Sequence, residues 1–126
     1  MSTTQTRPKP TDHVVPDDVL LAARAAYGKK ATEVVALNLG KVSFTDYFLI
    51  CTGQNRRQVK AIAEAIEMTL GTSGTRPAHI EGDDRANWIL LDYFDFVVHV
   101  FSAHARAFYG LDRLWGTAAR TEFADD

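Results

Sequence analysis

Three carboxylates and one imidazole stand where this chain could do chemistry. Asp92, Asp95 and His99 lie inside the run Trp88–Phe101, W-I-L-L-D-Y-F-D-F-V-V-H-V-F, which is otherwise almost wholly aliphatic and aromatic. Asp46 opens a second apolar run, D-Y-F-L-I-C-T. Titratable groups in segments this apolar are costly to bury unless they are paired or used. Carboxylates at strand ends of a mixed sheet are one way to hold magnesium for nucleotidyl transfer. That chemistry asks for two carboxylates on one strand face, commonly spaced D-x-D. Asp92 and Asp95 flank a turn instead, so nothing in their spacing makes them converge, and capping of turns and helix ends is the alternative use for all three aspartates. Thr52-Gly53-Gln54-Asn55 offers one glycine ahead of a helix start, a thin phosphate cradle. His99 has the chemistry of a general base, yet no Ser or Cys nucleophile sits in a recognisable elbow beside it. A mid-strand histidine of this kind is more often buried and hydrogen-bonded. Cys51, between Ile50 and Thr52, reads as core packing.

The bulk properties narrow the classes further. A chain of 126 residues, 46% hydrophobic and 24% charged, fits one soluble globular domain with a real core. One cysteine excludes an internal disulfide, and four scattered histidines show no zinc spacing. Neither a metal nor a cofactor is expected, and the compartment indicated is a reducing cytoplasm. No apolar run approaches the ~20 residues of a membrane helix, and the polar start M-S-T-T-Q-T-R-P-K-P-T lacks a signal core. A net charge of −2 argues against general or sequence-specific nucleic-acid binding. It leaves room for docking on a protein that is part of a ribonucleoprotein.

The elements that must position these residues can be read along the chain. Residues 1–13 have the composition of a disordered tail. Pro16, with Asp17 and Asp18 behind it, suits the first turn of a helix running to about residue 30. Glu33–Leu39 and Tyr47–Thr52 read as strands. Asn55 and Gln58 have capping-box spacing, Val59, Ile62, Ala63, Ile66 and Leu70 form one stripe, and Gly71 supplies a stop, which together predict a helix. A short strand near Ala78–Glu81 follows. Trp88–Tyr93 and Phe96–Phe101 then form an antiparallel hairpin across Phe94-Asp95. Phe108, Leu111, Leu114 and Trp115 predict one face of a final helix, and 118–126 a polar, frayed tail. The expectation is a single α/β (α+β) domain over residues 14–117: a mixed sheet of about five strands with helices packed on it. Strand alternation puts Trp88, Leu90 and Asp92 on one face and Ile89, Leu91 and Tyr93 on the other. If the face away from the helices is open, it is an apolar patch rimmed by acid, the mark of a protein-binding surface.

Several motifs in one order carry a specific resemblance. D-Y-F-L-I-C-T-G (Asp46–Gly53) and Q-V-K-A-I-A (Gln58–Ala63) precede Glu81-Gly82, W-I-L-L-D (Trp88–Asp92), D-F-V-V-H-V-F (Asp95–Phe101) and R-A-F-Y-G-L-D-R-L-W (Arg106–Trp115). Over roughly residues 17–117 the chain resembles the ribosomal silencing factor family, also called RsfS or Iojap. The resemblance implies a nucleotidyltransferase-like topology without enzymatic activity. It implies a factor that binds the large ribosomal subunit through the protein at large-subunit position fourteen, blocks joining of the small subunit, and represses translation under nutrient limitation or in stationary phase. The partner surface it implies centres on Trp88, Leu90, Leu91 and Asp92, with Tyr93 beside them. Asp46, Glu81, His99, Arg106 and Tyr109 match polar family positions, as framework or site rim. A homodimer in the free state is also implied. Asn55 replaces the family's usual Ser and caps equally well. Phe94 stands where the family's turn carries Gly; it is ill suited to a primed turn and adds an aromatic to a homodimer or ribosome contact. Two other readings stand beside this one: a metal-dependent nucleotidyltransferase built on Asp46, Asp92 and Asp95, and a direct ribosomal RNA binder using Arg56-Arg57 and Lys29-Lys30, charges otherwise read as solvated helix ends.

Overall fold

The computed structural model describes residues 6–8, 15–40, 43–82, 85–116 and 118–125. In chain order the elements are β1 (Thr6–Pro8), α1 (Asp17–Gly28), β2 (Thr32–Asn38), β3 (Tyr47–Gly53), α2 (Arg56–Thr72), β4 (His79–Gly82), β5 (Trp88–Asp92), β6 (Phe96–Ser102), α3 (Ala103–Tyr109), α4 (Leu111–Leu114) and β7 (Ala119–Asp125). The strands form one sheet in the order β1-β7-β2-β3-β6-β5-β4. β3 and β6 pair in parallel and every other neighbouring pair is antiparallel. This is the expected mixed α/β sheet.

Local chemistry accounts for the helices. Pro16 precedes α1 with φ −59°, and Asp17 and Asp18 lie in the first turn, where the dipole favours acid. Val19, Ala22, Ala23 and Ala26 are its buried stripe. α2 starts where Asn55 accepts the Gln58 backbone N–H at 2.9 Å. The Gln58 amide then donates to the carbonyls of Lys29 and Lys30, at 3.0 and 3.1 Å, so one residue ties the start of α2 to the end of α1. Val59, Ile62, Ala63, Ile66 and Leu70 are all buried, as their spacing predicts.

The sheet has two apolar faces. On one, α1 and α2 pack against Val34, Ala36, Leu49, Cys51, Leu91, Val98 and Val100. On the other, Val35, Leu37, Phe48, Ile50, Val97 and Phe101 gather Ala105 of α3, with Leu111 and Trp115 around α4. Central strand β6 is buried along its whole length. Among the described residues no helix is long and apolar enough to cross a membrane.

Three expectations need correction. The sheet has seven strands, not about five. β7 lies in the stretch expected to be a polar tail: Thr121 and Phe123 are buried between exposed Arg120 and Glu122. The outer edge of β2 offers a row of backbone groups that pairing satisfies, and β7 fills it. β1 falls within the expected disordered tail; most of residues 1–13 lies outside the described residues. Finally, the last helix is two. Gly110 adopts φ 58° between α3 and α4, and the break turns Phe108 and Leu114 out to solvent while Leu111 and Trp115 pack inward.

Candidate docking face

The β5–β6 hairpin sets the geometry of the face. Its register pairs Leu90 with His99 and Trp88 with Phe101. The turn is tight: Asp95 N–H donates to the Tyr93 carbonyl at 2.9 Å, around Phe94 at φ 77°. Asp92 Oδ1 accepts the Phe94 N–H at 2.8 Å, and Thr45 Oγ1 donates to the Phe94 carbonyl at 2.9 Å. Asp92 thus caps the turn.

Alternation along β5 divides the expected partner residues. Ile89, Leu91 and Tyr93 belong to the helix-side core. Leu91 is 1% exposed and Tyr93 7%, so neither is available to a partner; for these two the expected role is corrected to core packing. Burial, with Glu67 and Asp18 nearby, pushes the Tyr93 phenol up to about 12. Trp88, Leu90 and Asp92 are half-buried, with Trp88 and Leu90 resting on the second core. Beyond them in the sheet lies the exposed strand β4.

Trp88 is held on several sides. Its ring centroid lies 4.6 Å from Tyr109 and 5.0 Å from Phe101. Its Nε1–H donates to His99 Nδ1 at 3.1 Å. His99 itself is buried, stacked along Phe101 and edge-on to Phe48 at 4.5 Å. Burial holds the imidazole down to about 4, so it is neutral at physiological pH. An open groove of about 400 Å³ runs beside the indole, lined by Glu81, Gly82, Arg85, Asn87, Trp88, Leu90 and Tyr109. Glu81 and Tyr109 both line this groove. A Cβ on Gly82 would meet Ile89 at 3.1 Å, so bare backbone lets β4 approach β5. Arg85 and Asn87 were not singled out in the sequence; their signal is the polar loop directly ahead of Trp88.

The other polar residues lie elsewhere. Arg106 is buried and bidentate to Asp112 at 2.8 and 3.0 Å, and its Nη1 donates to the Glu33 carbonyl and Thr52 Oγ1. It ties α3, α4, β2 and β3 together, away from the groove. Burial alone would raise Asp112, but the hydrogen bonds and charge of Arg106, with Arg120, hold it below the usual carboxylate range. Asp46 is exposed; its N–H donates to the Asp95 carbonyl at 3.0 Å. Asp46 and Asp95 line one cleft with Asp17 and Asp18, whereas Asp92 is turned to its own hairpin. Among the described residues no three His, Cys, Asp or Glu side chains are grouped to hold a metal. Cys51 is fully buried and its thiol is pushed up to about 12 by burial, which makes it inert.

Fold and groove together define a small α/β domain presenting an aromatic, acid-edged face beside a sheet edge. The chain belongs to the ribosomal silencing factor family: the family model "Ribosomal silencing factor during starvation" matches residues 12–126. Ribosomal silencing factor RsfS of Bacillus subtilis is 42% identical over 99 residues, 78% of this chain and 84% of that protein. The chloroplastic protein Iojap of Zea mays is 35% identical over 82% of this chain and 46% of its own length. A crystal structure of a Chromobacterium violaceum protein superposes with a TM-score of 0.77 at 30% identity, covering 82% of this chain and 88% of that one. One from Bacillus halodurans gives 0.68 at 44% identity, covering 75% and 90%.

Proposed function

We propose that this protein is a non-enzymatic translation repressor of the cytoplasm. It docks on the large ribosomal subunit through the ribosomal protein at position fourteen, and its bulk then excludes the small subunit. The observation that carries this reading is the half-buried Trp88, with Leu90 and Asp92 on the same strand face, beside an open groove. An aromatic anchor with an aliphatic neighbour is the composition of an interface hot spot. Glu81 on the groove rim, with Asp92 further along the Trp88 strand face, suits a basic ribosomal protein, where opposite charge speeds encounter and fixes register. No proton transfer or covalent step is required, because a bound state incompatible with the second partner suffices by mass action. In the free state the protein is proposed to be a homodimer; β4, which ends the sheet and exposes Ile80, offers an edge for a second copy.

The test is co-sedimentation of Trp88→Ala with purified large subunits, its folding checked by circular dichroism. Loss of a central interface tryptophan costs about 2 kcal/mol or more, roughly thirtyfold in affinity. A folded Trp88→Ala protein that co-sediments like the parent overturns the docking assignment.

A further inference from the structure

The Trp88–His99 pair carries an unexplained expense. His99 Nδ1 accepts the indole N–H, so the neutral ring carries its proton on Nε2. That Nε2 is fully buried and has no hydrogen-bond partner. An orphaned buried donor is unfavourable, because it has given up its water and gained no partner. The surrounding rings, Phe48, Phe101 and Trp88, would accommodate a phenylalanine at this position without that cost. What a phenylalanine cannot supply is the acceptor facing Trp88.

We propose that His99 is a positioning residue for docking: it consumes the indole N–H of Trp88 inside the protein, fixes the ring against Tyr109 and Phe101, and leaves only the apolar part of the indole to meet the partner. The inference rests on the docking role given to Trp88 above, and it refines the partner's chemistry. The complementary socket for this ring is apolar; it has no need of a carbonyl or carboxylate to receive the N–H, because that donor is already engaged. The polar part of the recognition then falls to Glu81 and Arg85 on the rim. A preoriented ring also loses less freedom on binding than a mobile one.

Two measurements test this. The first is the indole N–H resonance of Trp88 in the full chain, told apart from Trp115 by its absence in Trp88→Phe. In the parent it is hydrogen-bonded and slow to exchange. In His99→Phe it moves and exchanges faster, and in His99→Asn, whose side-chain oxygen occupies the place of Nδ1, the parent behaviour returns. The second is a double-mutant cycle on affinity for large subunits. His99→Phe weakens binding about three- to tenfold in the parent, as loss of one hydrogen bond implies, and less than about twofold when Trp88 is already Phe. An unchanged indole resonance in His99→Phe overturns the proposal. So does an equal loss of affinity in both backgrounds, since His99 would then act through the fold and not through Trp88. Should His99→Phe not fold, His99→Asn decides alone: an indole N–H that exchanges like a free one despite the retained oxygen overturns the proposal. A Trp88→Ala protein of parental affinity would remove the docking reading itself while leaving the resonance result intact, so the two failures are separable.

Discussion

At the scale of single residues, burial decides what each titratable group does. His99 illustrates this through pH. The unfolded chain binds a proton near the ordinary 6.5, whereas the folded chain resists it down to about 4. Stability contributed by the neutral ring is complete above the unfolded value and is lost as pH falls from there toward 4. Between pH 7 and pH 5 this loss amounts to about 2 kcal/mol. Asp112 adds a second acid-labile contribution at lower pH, because Arg106 and Arg120 keep it ionised in the fold and that stabilisation disappears once it is protonated. Urea midpoints at pH 7 and pH 5 check the upper window: the parent shifts and His99→Phe shifts far less. A His99→Phe protein as acid-sensitive as the parent would assign the loss to another group. The Trp88–His99 contact itself was within reach of the sequence. A two-residue hairpin connection fixes Leu90 opposite His99, and Trp88 then lies one diagonal step away. Which nitrogen the indole meets was not, since that follows from rotamers set by Phe48, Phe101 and Tyr109.

At the scale of elements, the hairpin turn stores a cost. Phe94 holds φ 77° and is 77% exposed, so its side chain gains little within the fold. Asp92, Thr45 and the Tyr93–Asp95 bond fix the backbone around it. A non-glycine residue at such φ costs ~1–3 kcal/mol, and glycine returns part of that through greater unfolded-state entropy. Phe94→Gly is therefore expected to stabilise the protein by about 1 kcal/mol, read as a higher thermal midpoint. A lower midpoint would mean the exposed ring stabilises the fold by more than its backbone strain costs. Elements with several concordant local signals were legible. α2 has a cap at Asn55 and a five-residue stripe, and its position agrees with both; Gly71, expected to supply the stop, lies inside the helix, which runs to Thr72 and is followed by Gly74 at φ 87°. β7 has one apolar residue, Phe123, facing the core with Thr121. Its existence depends on the open edge of β2, contributed by residues more than 80 positions earlier, and no local pattern encodes that. The α3–α4 break was marked only by Gly110, whose left-handed φ a helical pattern of apolar residues does not reveal.

At the scale of the whole molecule, the proposed mechanism is occupancy, and occupancy has a stoichiometry. A 14.0 kDa domain that works by filling the joining face acts only while bound. The block should saturate at one factor per large subunit and follow mass action against the small subunit. When the factor meets large subunits first, fewer joined ribosomes form on adding small subunits; raising the small-subunit concentration restores them, and so does removing the factor. Sucrose-gradient profiles at graded factor-to-subunit ratios measure this directly. A catalyst behaves differently, because a few copies modify many subunits and the effect outlasts them. Joining that is abolished at a tenth of an equivalent, or that stays abolished after the factor is washed away, would show that the ribosome had been altered and not merely covered. That result would return attention to Asp46 and Asp95 in their acidic cleft, since they are the carboxylates that the fold brings together and Asp92 is held to its own turn.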